Sequence, residues 1–168
     1  MAQVTIQGTP FAIKGDVPTS GPAADFTFVK GDMSEAKLSD FDKVKVLIAV
    51  PSLDTGVCQA ETRKFNEQLG ERSGVTGIVV SKDLPFAMNR FCETDGVANI
   101  VTASDFRDGD FTSKYNTEIT EGPFKGLSAR AVFVVDGDNN IAYTELVKEV
   151  GDEPDYDRVM EEVDKLRG

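Results

Sequence analysis

Histidine and tryptophan are absent from the 168 residues, and cysteine occurs only twice, as Cys58 and Cys92. Without histidine there is no Ser–His–Asp triad, no Cys–His protease pair, no two-histidine zinc site and no proximal haem ligand. Two cysteines are too few for a four-cysteine zinc or iron–sulfur site. Acid–base chemistry near neutral pH therefore falls to a shifted carboxylate, a lysine or a thiol. Positive charge is scarce as well: 18 Lys and Arg stand against 29 Asp and Glu, a formal charge of −11. That balance excludes nucleic acid and anionic membrane as partners, because their phosphates reward clustered basic residues. Long apolar runs are missing too. The best, Val46 to Val50, falls far short of the ~20 residues that span a bilayer. The first residues carry neither the basic nor the apolar region of an export signal. The expected location is therefore cytoplasmic, where two cysteines read as reduced thiols with a catalytic or redox use.

What is present is the composition of a globular protein, 40% apolar and 28% charged. The length fits one domain, expected over residues 1–168, which can bury roughly 70% of its unfolded surface. Val4 to Gln7 and Phe11 to Lys14 flank Gly8-Thr9-Pro10 and predict a small N-terminal β-hairpin. Asp25 to Val29 alternates as a short strand. Val44 to Val50 is apolar almost throughout, as a strand buried on both faces should be. Cys58, Thr62, Phe65 and Leu69 share one face of a helix over about 57–69, and Val75 to Val80 is the next buried strand. Asp83 is expected to cap a helix with Leu84 and Pro85 in its first turn. On that helix Leu84, Met88, Phe91 and Cys92 share a face. Ile100 to Thr102 reads as a strand. Ala131–Val135 and Ile141–Val147 form a hairpin around residues 136–140, and an amphipathic helix follows Pro154. Alternating strands and helices predict an α/β fold, a three-layer sandwich with a mixed central sheet.

Two acidic clusters invite a metal reading and fail it. Asp136-Gly-Asp-Asn-Asn140 opens like a calcium loop, but Ile141 and Val147 occupy the places of the required Gly and Glu, so a hairpin turn is the better reading. Asp105, Asp108 and Asp110 are expected to be a solvated acidic loop. Neither a Walker loop nor a dinucleotide glycine fingerprint occurs.

Pro51-Ser-Leu-Asp-Thr55-Gly-Val-Cys58 is different, because it directly follows the best buried strand, where open α/β sheets place their sites. Cys58 falls in the first turn of a helix, whose unpaired N–H groups and dipole favour a thiolate. Bringing a thiol from its ordinary ~8.5 to ~6 takes about 3.4 kcal/mol. A helix N-terminus supplies about 2 at best. The balance must come from a cation or hydroxyl donors. An arginine at about 4 Å contributes up to ~4 kcal/mol at an effective dielectric near 20. Arg130, just before the buried strand 131–135, is the leading candidate; Arg63, Arg90 and Arg107 are the others. Thr55 suits either a bond to the thiolate and an oxygen substrate, or a helix N-cap. Cys92 suits either core packing or condensation with an oxidised Cys58.

Residues 51–66 also carry the Pro-x-x-x-Thr-x-x-Cys signature and so resemble the peroxiredoxins, more narrowly the bacterial thiol peroxidase subfamily. Asp83–Cys92, Ser104–Arg107, Gly126–Val134 and Glu153–Tyr156 are similar to that subfamily in the same order, across essentially the whole chain. Gly56 departs from it, standing where many members have proline. The resemblance implies a thioredoxin-like fold and an atypical two-cysteine enzyme that reduces hydrogen peroxide and alkyl hydroperoxides. Cys58 is then the peroxidatic cysteine and Cys92 the resolving cysteine of the same chain. Thr55 and Arg130 orient and polarise the peroxide, and Pro51 shields the thiolate. No cofactor is implied: neither metal, haem nor flavin. Thioredoxin is the implied reductant and a homodimer the implied assembly. A second reading is a noncatalytic thioredoxin-fold sensor that relays a disulfide to a partner protein. A thioredoxin-type oxidoreductase is disfavoured, because there is no Cys-x-x-Cys pair.

Overall fold

The computed structural model describes residues 2–167. In chain order its elements are β1 (Gln3–Ile6), β2 (Thr9–Ala12), β3 (Thr27–Val29), β4 (Glu35–Lys37), β5 (Val44–Ala49), α1 (Gly56–Gly70), β6 (Val75–Ser81), α2 (Pro85–Asp95), β7 (Ile100–Ser104), α3 (Asp110–Lys114), β8 (Ala131–Val135), β9 (Ile141–Leu146) and α4 (Tyr156–Arg167). A 3-10 turn, Leu38–Asp40, follows β4. Seven strands form one sheet in the order β4-β3-β7-β6-β5-β8-β9. β5, β6 and β7 run parallel; β8 is antiparallel to β5, and β3 to β7. This is the mixed three-layer sandwich the alternating pattern predicts.

The strand period of two explains the layers. Val46, Ile48, Val132 and Val134 face one side, where they meet Phe65 of α1, Met88 and Phe91 of α2, and Val159 and Val163 of α4. Leu47, Ala49, Phe133 and Val135 face the other side, against Phe26, Phe28, Phe111 and Tyr115. All six residues of β5 are buried, which explains its continuous apolar run. Lys45 is the exception in that run. Its ammonium donates to the Phe41 carbonyl (2.9 Å) and to Asn139 Oδ1 (2.6 Å), and burial holds it below the ordinary lysine range.

The N-terminal hairpin turns earlier than expected. Its turn is Gln7-Gly8, both at positive φ, as a two-residue type I′ connection requires. Pro10 lies within β2 opposite Thr5, on a two-stranded sheet with edges that tolerate proline. The hairpin packs through Val4 and Ile13 onto Ile119, Ala129 and Val150.

Three other expectations need correction. Asp83 does not cap α2: the cap position is Leu84, because Pro85 occupies the first helical residue, and the Asp83 side chain is engaged elsewhere. Leu84 itself is half exposed rather than part of the buried face. Asp105 is not a solvated loop residue but 2% exposed, accepting from the Phe111 and Thr112 amides and the Thr112 hydroxyl, so it fastens the start of α3. Burial raises its carboxyl above the usual range. The five-residue α3 is too short for periodicity to reveal. Around residues 136–140 the hairpin reading stands, with Asp136 Oδ1 accepting from the Asp138 and Asn140 amides.

Candidate active site

β5 and β6 end side by side at one edge of the sheet, and each is followed by a helix carrying a cysteine. Pro51 is buried near the start of the first of these connections. Thr55 is the N-cap residue of α1 by position and extended backbone, yet its hydroxyl makes no cap bond. It donates instead to the Ser52 carbonyl at 3.0 Å. Both sequence readings of Thr55 are thus modified: the cap is backbone only, and the hydroxyl belongs to the loop that shapes the site. Cys58, third residue of the helix, is fully buried, and its carbonyl accepts from the Thr62 hydroxyl at 2.8 Å.

Arg130 reaches Cys58 from just before the start of β8, the strand paired with β5. Because side chains alternate along β8, Arg130 shares a face with Val132 and Val134, the face that α1 covers. Its Nη1 lies 3.3 Å from Cys58 Sγ and donates to Glu61 Oε1 at 2.6 Å. Nε and Nη2 both donate to the Val150 carbonyl, at 3.0 and 2.8 Å. The guanidinium is 2% exposed and held on three sides. Burial disfavours its charge, but Glu61 and the Cys58 sulfur more than offset this and keep its pKa above the ordinary value. The other candidate arginines are spent on the surface: Arg63 pairs with Asp95, Arg90 with Asp54 and Arg107 with Glu35.

Glu61 is the residue that sequence reasoning missed. It stands one helical turn after Cys58, on the same buried stripe, and is fully buried. Its Oε2 has no hydrogen-bond partner among the described residues. Desolvation pushes its carboxyl up to about 7 despite the pull of Arg130. A signal existed: a carboxylate three residues after Cys58, on a stripe otherwise read as buried, needs a buried cation. The one charge on Arg130 thus serves two acceptors, the sulfur and Glu61. A proton on Glu61 releases more of that charge to the sulfur.

The site opens into a cleft of about 190 Å³. Pro51, Thr55 and Arg130 line it together with apolar Ile6, Val57 and Phe124. Ile6 comes from the N-terminal hairpin, which Glu149 pins in place. Its carboxylate accepts from the Gln7, Gly8 and Gly151 amides and the Thr5 hydroxyl, and these bonds hold it down at about 2. Cys92 lies outside this cleft. It is half-buried on α2, packed against the same apolar cluster as Cys58, and both thiols are free. Burial, Asp95 and Glu93 push the Cys92 thiol above its ordinary value. Beside it a second cleft of about 150 Å³, lined by Gln59, Arg90 and Phe91 among others, separates the start of α1 from α2.

A buried thiol facing a fixed guanidinium at the foot of an open cleft is equipped for nucleophilic chemistry on a small oxygen substrate. Comparison with known proteins agrees. The model of the Redoxin family matches residues 18–160. The chain belongs to the redoxin family. Among curated proteins it is 51% identical to the thiol peroxidase of Leptospira interrogans over 160 residues, 93% of this chain and 94% of that protein. It is 44% identical to the thiol peroxidase of Aquifex aeolicus over 165 residues, 97% of each. Among solved structures, a peroxiredoxin-like protein from Aquifex aeolicus superposes with a TM-score of 0.94 at 42% identity, covering 99% of this chain and 98% of its own. The thiol peroxidase from Chromobacterium violaceum superposes with a TM-score of 0.87 at 25% identity, covering 97% and 95%. This redoxin is therefore a peroxiredoxin enzyme of the thiol peroxidase kind, with the thioredoxin-like fold of that group.

Proposed function

We propose that this peroxiredoxin reduces hydrogen peroxide and organic hydroperoxides through Cys58 and recovers through an intramolecular disulfide with Cys92. The observation that carries the reading is the 3.3 Å approach of Arg130 Nη1 to Cys58 Sγ inside a buried pocket. The Cys58 thiolate attacks the terminal peroxide oxygen, the O–O bond breaks, and the departing alkoxide or hydroxide takes a proton and leaves as alcohol or water. Cys58 is left as sulfenic acid. Arg130 stabilises negative charge on the sulfur and then on the peroxide oxygens, a preorganised electrostatic contribution. Thr55 and Pro51 border the same space, where Pro51 shields the thiolate from water. Ile6, Val57 and Phe124 suit the organic part of a hydroperoxide.

The Cys92 thiol then attacks the sulfenic sulfur and expels water, giving the disulfide. A dithiol reductant restores both thiols, and thioredoxin is the one we assign. The chain acts as a single domain over residues 1–168, in the reducing cytoplasm, as a homodimer. Names of relatives that are enzymes favour turnover over the sensor reading. A thioredoxin-coupled NADPH assay with hydrogen peroxide and cumene hydroperoxide tests this function. Wild type should turn over with both, and Cys58→Ser should lose at least about a thousandfold in rate. Sustained peroxidase activity in Cys58→Ser would overturn the proposal.

A further inference from the structure

The two cysteine-bearing segments are joined by one carboxylate that neither packing nor helix capping explains. Asp83 lies between β6 and α2, two residues before Pro85, the first residue of the Cys92 helix. Its Oδ1 accepts from the Ser52 hydroxyl at 2.7 Å. Its Oδ2 accepts from the Leu53 amide at 2.7 Å and from the Ser81 hydroxyl at 2.6 Å. Ser52 and Leu53 belong to the loop that leads into Cys58, and Ser81 is the last residue of β6.

From these contacts two short chains of bonds run into the first turn of α1. The Ser52 carbonyl accepts from the Thr55 amide (3.3 Å) and hydroxyl (3.0 Å). The Leu53 carbonyl accepts from Gln59 Nε2 at 2.9 Å. Asp83 therefore holds the residue that holds Thr55, and braces the turn that contains Cys58. On its other side α2 begins without a side-chain cap, and its first-turn apolar residues Leu84 and Phe86 are 50% and 64% exposed. That end of the helix is fastened by buried Pro85 and Met88, by the Asn89 side-chain amide donating to the Gly31 carbonyl at 2.8 Å, by the Ser104 hydroxyl donating to the Asp83 carbonyl, and by the Asp83 side-chain bonds.

This matters because the folded arrangement serves only half of the cycle. Cys58 is fully buried in the first turn of one helix, and Cys92 lies inside another. Disulfide formation needs their Cα atoms within about 7 Å and their Cβ atoms directed at each other, which two intact helices resist. The first turn of α1, the stretch of α2 that carries Cys92, or both must open, and Asp83 ties the first of these to the start of the second helix.

We propose that Asp83 is a positioning residue that holds Thr55, Cys58 and the start of α2 in the peroxide-reactive arrangement and sets how readily they open for the disulfide. The proposal rests on the roles assigned above to Cys58 and Cys92. It makes the two half-reactions respond oppositely to one change. With the bonds removed, peroxide attack slows because Thr55 and the Cys58 turn are less well held, while closure of the disulfide speeds up.

Rapid-quench mass spectrometry on the full-length protein separates the steps. Sulfenic acid formation is read by dimedone trapping in a Cys92→Ser background, and closure by the loss of about two mass units after one equivalent of hydrogen peroxide. Asp83→Ala should slow the first step about tenfold and accelerate the second several-fold. Ser52→Ala, which removes one of the bonds to Asp83 and the Asp54 amide's bond to the Ser52 hydroxyl, should shift both rates in the same directions by less, and circular dichroism checks that each variant folds. Equal slowing of both steps, or no change in either, overturns the proposal. If wild type never loses the two mass units, the Cys92 assignment fails instead, and an unchanged first step in Asp83→Ala then overturns the role of Asp83 by itself.

Discussion

Cys58 and Cys92 occupy similar places: each lies on a helix that follows a parallel strand, and each packs into the same apolar cluster. Their surroundings differ in charge. Cys58 meets the guanidinium of Arg130, whereas Cys92 is flanked by Asp95 and Glu93, which push its thiol upward. Burial alone does not separate an attacking thiol from a waiting one, since Cys58 is the more deeply buried of the two. The difference lies in a cation delivered from 72 residues away. A thiol without such a partner stays protonated and inert until a sulfenic sulfur is brought to it, as the second step of the proposed cycle requires.

The sharpest way to break this contrast is to remove the cation. Arg130→Met should lower the rate of peroxide attack by about 10²–10³-fold, the scale of losing one preorganised donor. It should also cost about 3–5 kcal/mol of stability, because Glu61 is left buried without its partner. Adding Glu61→Gln should recover stability in urea denaturation without recovering activity. Recovery of both would mean that Arg130 serves the fold rather than the sulfur.

Next in size is the effect of removing the waiting thiol. Cys92→Ser should consume one equivalent of peroxide at close to the wild-type rate and then stall in the thioredoxin-coupled assay, with turnover reduced by about tenfold or more. A disulfide-linked dimer of wild type on non-reducing gels, in place of an oxidised monomer, would move the resolving role to another chain.

The smallest effect, and the one that sharpens the electrostatics, concerns Glu61 and pH. Its carboxyl is raised to about 7 in the folded protein from an ordinary 4.5. Between those values the native state binds a proton that the unfolded state has lost. Stability should therefore fall as pH rises from about 4.5 to about 7 and level off above, with a slope of roughly 1 kcal/mol per pH unit at most. Glu61→Gln should lack this slope when unfolding is compared at pH 5 and pH 7.5. An identical pH dependence in the variant would show that Glu61 titrates outside the window.

Much of this was legible before any coordinates. β5 announced itself by the nearly unbroken apolar run from Val44 to Val50, α1 by the stripe Cys58, Thr62, Phe65 and Leu69, and the hairpin β8–β9 by a turn that Asp136 folds locally. These are short-range patterns, and the physics behind them is short-range. Asp83 shows where that reasoning stops. An acidic residue just before a Leu-Pro helix start looks like a cap, but Pro85 moves the cap to Leu84 and frees the carboxylate for a neighbouring loop. Asp105 misled in the same way, since its partners Phe111 and Thr112 are brought to it only by the chain folding back.

The sequence by itself determined the inventory: two thiols, no imidazole, the Cys58 signature at the mouth of a buried strand, and an arginine beside another buried strand. It also settled which helix face carries Cys58, because 3.6-residue periodicity is written in the residues. Tertiary structure alone decided that Arg130 meets Cys58, that Glu61 shares the same guanidinium nitrogen, and that Asp83 bridges the two cysteine segments. Those contacts depend on strand order and register. The cost of an unpaired buried charge then selects which partners meet, a constraint between residues far apart in the chain that no local pattern records.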